Sequence, residues 1–210
     1  MQISSSHPIL PAFNISSVCT LTTASAEKRR LALDKQLRLF NLTTHYVEGP
    51  MYSNAKGCLT GWLKMLQTCR TYPALMTEDD VDLQLRYDIL RVPLIPQETL
   101  LSIGSGNCMS SDCSNPLWVK PHMKRPYTFG TVAMFIPSQA VAERLIRWVS
   151  HDVSAGGSPY NGSHIDGKIY LGAFGAKILC PPLLGWRPAM SIVTRHTKKT
   201  NKSLQCYARH

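Results

Sequence analysis

The hydrophobic and polar positions of this chain alternate between two rhythms. Ile15 to Thr22 is rich in β-branched residues and reads as a first strand. It ends in Thr22-Thr23-Ala24-Ser25, a polar turn with good helix-capping residues. A helix is expected from about Ala26 to Phe40, with Leu33, Leu37 and Phe40 on one stripe and Lys28, Arg29, Lys35 and Arg38 largely off it. Thr44 to Val47 is a short second strand. Leu59, Trp62, Leu63, Leu66 and Cys69 then mark a second amphipathic helix that starts after Gly57. Tyr72-Pro73 breaks it, and Ala74 to Thr77 is a short apolar strand running straight into Glu78-Asp79-Asp80-Val81-Asp82.

Residues 93–126 are punctuated by Pro, Gly, Ser and Asn and read as an extended loop region with brief strands. Phe129 to Ile136 is another strand. Pro137-Ser138 caps a helix from about Gln139 to Val149, with Val141, Leu145 and Trp148 facing inward. A Gly/Ser loop covers 154–162, a short helix is expected at 166–174, and Lys177 to Cys180 is a strand that stops at Pro181-Pro182. There is no internal repeat. Strands alternating with helices predict a single-domain α/β fold, a sheet with helices on its faces. The domain spans 15–195, between a loose arm at 1–14 and a basic tail at 196–210. Ligands of such sheets bind beyond the carboxyl ends of the strands. Two polar features lie there: Thr22-Thr23 and Glu78-Asp79-Asp80.

Composition narrows the setting. Hydrophobic residues make up 44% of the chain, enough for a core and too many for disorder. No apolar run approaches the ~18 to 20 residues of a membrane span, and residues 1–17 lack the pattern of a secretory signal. A cytoplasmic protein is therefore expected. The sequons at Asn14, Asn41, Asn161 and Asn201 read as chance matches in that setting. The seven cysteines are scattered, four of them in apolar runs (Cys19, Cys58, Cys69 and Cys180), which suits reduced thiols. Cys108 and Cys113 lie close together in a polar loop, as free thiols or a loop disulfide, and lack the further soft ligands that a zinc site would need.

The net charge is +10, so anionic partners are expected. The charge is uneven. Arg195, His196, Lys198, Lys199 and Lys202 crowd the tail, while acids concentrate between Glu78 and Asp88. Four carboxylates within Glu78 to Asp82 repel one another and raise each other's pKa unless a cation joins them. An exposed turn could leave them solvated. At a strand end, hard oxygen ligands suit Mg²⁺ or Mn²⁺, which also keeps waters and substrate phosphate oxygens. Such an ion stabilises charge on the diphosphate that leaves when a sugar nucleotide is cleaved. Lys198 and Lys199 could add positive charge to the same leaving group from a closing tail, or be a frayed solvated end.

The order of these features resembles a known family. A strand and polar turn precede Glu27-Lys28-Arg29-Arg30, Gly57-Cys58 opens a helix, and a strand leads into Glu78-Asp79-Asp80-Val81. Phe129-Gly130-Thr131-Val132-Ala133 then leads into a helix, followed by Asp166. This is similar to the family 25 glycosyltransferases, which have the GT-A fold, a Rossmann-like mixed sheet, and transfer sugars to lipopolysaccharide or collagen. It also resembles small glycosyltransferase domains of large DNA viruses of algae. The resemblance implies a UDP-sugar donor and a glycan or glycoprotein acceptor, with Glu78, Asp79 and Asp80 as the metal site. Asp80 would be the first metal ligand, Glu78 or Asp79 would meet the ribose or a bound water, and Asp82 is a weaker metal ligand. Leu21, Thr22 and Thr23 would cradle uracil and ribose through backbone groups, and Arg30 would meet the nucleotide. Asp166 would deprotonate the acceptor hydroxyl if the reaction inverts, or cap a helix. His164 and His196 could touch metal or phosphate. Where the family has Ser-His, this chain has Gly61-Trp62, which leaves the sugar and acceptor open.

Two other readings compete. A nucleic-acid-binding module would interleave aromatics with Lys/Arg, but only 8% of residues are aromatic and the acidic cluster would repel phosphates. A glycan-binding relative without turnover is the other.

Overall fold

The computed structural model describes residues 13–49, 55–104, 114–120, 132–154 and 175–186. The described strands are β1 (Ser17–Thr22), β2 (His45–Glu48), β3 (Ala74–Glu78), β4 (Val81–Asp82), β5 (Leu101–Ser102), β6 (Leu117–Val119), β7 (Ala133–Ile136), β8 (Lys177–Cys180) and β9 (Gly185–Trp186). Three helices accompany them: α1 (Glu27–Leu39), α2 (Ala55–Thr68) and α3 (Gln139–Ser154). Seven strands form one mixed sheet in the order β2-β1-β3-β7-β5-β8-β6, and β4 pairs with β9 in a separate two-stranded ribbon. The expected α/β architecture is therefore present.

Each strand divides its side chains between two cores, as the period of two requires. Cys19, Met76, Met134, Ile136 and Ile178 face α2 and α3 in one cluster. Val18, Leu75, Phe135 and Leu179 face Leu33 and Leu37 of α1 in the other. Buried on both faces, the central strands read as continuous apolar runs, which is why Ala74 to Thr77 was legible despite its length. Phe13 and Phe135 close the α1-side core edge to face, ring centroids 5.0 Å apart.

Local chemistry sets the helix ends. Ser138 caps α3 as expected, its hydroxyl accepting from the Val141 amide at 3.4 Å. The start of α1 differs from expectation: its N-cap is Ala26, with no side-chain cap, while the Thr23 carbonyl accepts from the Ala26 amide. The hydroxyl of Thr22 is used elsewhere, as described below. At the other end, Asn41 adopts φ 54°. The Leu42 amide reaches the Leu37 carbonyl and the Asn41 amide that of Arg38, closing a Schellman motif. Helix α2 begins at Ala55, ahead of the expected start after Gly57. Gly61 lets α2 approach the sheet: a β-carbon there would lie 3.1 Å from Leu21 Cδ1. The Gly-Trp pair at 61–62 thus has a packing reason, since Trp62 is fully buried in the α2–α3 core.

The cysteines overturn one expectation. Cys19 of β1 and Cys69, just past α2, form a disulfide across 50 residues, and Cys180 is disulfide-bonded as well. Their apolar surroundings, read as favouring reduced thiols, instead bury the sulfurs that pair. The tertiary approach of α2 to β1 brings Cys19 and Cys69 together, with Cα atoms 6.4 Å apart, and no sequence spacing announces that. Among the described residues no helix is long and apolar enough to cross a membrane.

Candidate functional site

Strands β1, β2 and β3 run parallel, so Thr22, Glu48 and Glu78 end at one edge of the sheet. From β1 the chain crosses to β2 on one side and then to β3 on the other. This reversal falls between the carboxyl ends of β1 and β3, and open α/β sheets bind ligands in the crevice at such a switch point. The Thr22-Thr23 turn and the Glu78-Asp79-Asp80 run meet there.

Asp79 joins them. Its carboxylate accepts from the Thr22 hydroxyl at 2.6 Å and pairs with Arg29 Nε at 3.2 Å, and the Thr23 backbone adds a further hydrogen bond. Its own amide donates to the Leu21 carbonyl at 3.1 Å. Burial raises the Asp79 carboxyl above its ordinary value of 3.8; Thr22, Arg29 and Thr23 oppose that rise, and the neighbouring Asp80 charge adds to it. Asp79 is thus a staple between the two strand ends. Beneath it, buried Thr20 links to buried Thr77 at 2.9 Å and to half-buried Thr44 at 2.7 Å.

Asp80 is different. It is 6% exposed, and its Oδ1 is buried with no hydrogen-bond partner among the described residues. A carboxylate oxygen held away from solvent without a hydrogen-bond donor is costly. Glu78 is half-buried and lies beside Leu21 in the β1–β3 register. Asp82 is committed to structure: Gln36 Nε2 donates to it at 2.8 Å, and Gln36 Oε1 accepts from the Leu83 amide. The acidic turn is therefore no solvated surface loop, since two of its four carboxylates are buried and a third is held by α1.

The remaining sequence candidates divide. Leu21, Thr22 and Thr23 lie at the crevice. The carbonyls of Leu21 and Thr22 accept from the Asp79 and Gly49 amides. Arg30 turns away from the acids, toward Glu48 Oε1 at 3.4 Å and the Ala24 carbonyl. Asp166, Lys198, Lys199, His164 and His196 lie outside the described residues.

Sequence reasoning missed Arg29, a cation that pairs with Asp79. The signal was present: Arg29, Leu33 and Leu37 follow at steps of four, so Arg29 extends the buried stripe of α1 to its first turn. It also missed Arg86, a buried arginine whose amide donates to the Leu183 carbonyl. Its guanidinium packs on Gly185, the strand partner of Asp82, where a β-carbon would come within 2.9 Å of it.

Among the described residues no three of His, Cys, Asp and Glu gather into a metal-holding group. Among the described residues, Asp80 and Glu78 could offer carboxylates to a divalent ion, with further ligands drawn from water and substrate. That is the usual arrangement for Mg²⁺ with phosphates. No family model matches the chain, and no curated protein matches it.

Proposed function

We propose that the chain is a metal-dependent glycosyltransferase of GT-A type that takes a nucleotide-sugar donor, UDP-linked by its family resemblance, and passes the sugar to a hydroxyl of a glycan or glycoprotein. The observation that carries this reading is Asp80 Oδ1, a buried carboxylate oxygen without a partner among the described residues, at the strand ends where the sheet order reverses. Proteins keep such a group where function uses it.

The roles follow from the contacts. Asp79, held by Thr22 and Arg29, fixes the turn of Leu21, Thr22 and Thr23 that receives the base and ribose. Asp80, with Glu78, would hold Mn²⁺ or Mg²⁺, whose chemistry there is to stabilise negative charge on the departing diphosphate. Its first-choice ligand status fits the structure better than that of Asp79, whose oxygens already have partners. Asp166 as acceptor base, and Lys198 and Lys199 on the diphosphate, follow from resemblance and charge.

The test is a panel of nucleotide sugars against the purified full chain, with and without Mn²⁺. Saturable UDP-sugar binding that requires the ion, and transfer to a glycan acceptor, are expected. Metal-independent binding would remove the ion from the reading; a steeply salt-dependent affinity for DNA in place of nucleotide binding would replace it with the nucleic-acid one. Binding of glycans without donor turnover would leave only a lectin-like relative.

A further inference from the structure

We infer that this protein folds in an oxidising, glycosylating compartment and carries an N-linked glycan on Asn41. The inference is independent of the reading of the acidic crevice.

The first observation is redox. Cys19 and Cys69 are joined, and both are buried, at 2% and 5% exposure. Cys180 is disulfide-bonded too. A buried disulfide such as Cys19–Cys69 is formed and kept where the environment is oxidising, and is rare where glutathione and thioredoxin hold thiols reduced.

The second is the geometry of the sequon Asn41-Leu42-Thr43. Asn41 and Thr43 are exposed, while Leu42 between them packs on the α1-side core. The acceptor amide and the hydroxyl that a transferase must engage therefore lie on the outside of one anchored residue. Asn41 occupies the left-handed position of the Schellman closure at the end of α1 and is exposed there. The sequon Asn14-Ile15-Ser16 repeats the pattern, with Asn14 and Ser16 exposed about a buried Ile15. These two sequons precede β2 and β1, so they lie at the edge of the sheet opposite the Thr22–Asp79 crevice. A glycan at either place leaves the crevice open.

The modification is a group transfer. The Asn41 side-chain nitrogen attacks the anomeric carbon of an oligosaccharide carried on a polyprenyl diphosphate. The new C–N bond forms as the anomeric C–O bond breaks, the lipid diphosphate leaves with that electron pair, and the amide gives up one proton to the transferring enzyme.

The experiment expresses the full chain in a eukaryotic host, in parallel in the secretory lumen and in the cytosol. Intact mass is read before and after peptide N-glycosidase, followed by peptide mapping without reduction. A glycan at Asn41 and a linked Cys19–Cys69 peptide pair are expected. Asn41→Gly keeps the left-handed cap and removes the acceptor; Thr43→Ala keeps the acceptor and removes the hydroxyl. Both variants should lose the Asn41 glycan, and Thr43→Ser should retain it. Unmodified Asn41 in disulfide-linked protein overturns the glycan assignment. Free thiols at Cys19 and Cys69 in the lumenal protein overturn the compartment.

Discussion

Replacing Asp80 with asparagine should make the ligand-free protein more stable and the ligand-bound protein less so. The side chain is nine-tenths buried, and its Oδ1 has no donor among the described residues. An unpaired buried polar group costs about 1–3 kcal/mol, and more when charged. Asp80→Asn keeps the shape and leaves a neutral amide in place of the charge. It also removes the neighbouring charge that lifts the Asp79 carboxyl. A gain of about 1–2 kcal/mol is expected in metal-free buffer, which for a domain of this size raises Tm by roughly 2–8 °C. Adding Mn²⁺ with UDP should reverse the order. At a ligand concentration about 100 times Kd the wild type gains about 2.7 kcal/mol by linkage, and the variant gains nothing. Thermal melts in chelator, in Mn²⁺ alone and in Mn²⁺ with UDP read all three states. If Asp80→Asn melts below the wild type in chelator, the carboxylate has a structural partner and the reasoning fails. An equal ligand shift in both proteins refutes the metal role.

Three further outcomes follow from the same contacts. Because burial raises the Asp79 carboxyl above 3.8 in the folded state, the native protein binds the extra proton. The stability of the wild type relative to Asp79→Asn should therefore fall as pH rises from about 3.8 through the raised value; urea unfolding in metal-free buffer from acid to neutral pH checks the sign, and a difference that grows with pH contradicts it. Arg29→Met removes the cation beside Asp79 and should destabilise by about 1–3 kcal/mol at neutral pH, with a double-mutant cycle against Asp79→Asn showing coupling near 1 kcal/mol; additive effects would mean the pair contributes nothing. The disulfide closes a loop of 50 residues, for which chain entropy predicts about 4 kcal/mol, so Cys19→Ala with Cys69→Ala should lower the denaturation midpoint clearly; an unchanged midpoint would show that the link does not constrain the unfolded chain.

Local pattern and global assembly divided this protein between them. The alternation of short apolar runs with amphipathic stripes was enough to find β1, α1, β3, α3 and β8 within a few residues, because each element's period reflects which of its own faces is buried. The position of Glu78-Asp79-Asp80 at a strand end was legible for the same reason. What the sequence could not decide depended on contacts between distant segments. Arg29 and Arg30 are neighbours in the chain, yet only the packing of α1 on the sheet turns Arg29 toward Asp79 and Arg30 toward Glu48. Thr22 reads as a helix cap until β3 is laid beside β1, when its hydroxyl goes to Asp79. Cys19 and Cys69 look like buried thiols until α2 brings them together. Hydrophobic period is a property of each segment alone; a hydrogen bond, an ion pair or a disulfide needs two segments, and only the tertiary fold selects which two meet.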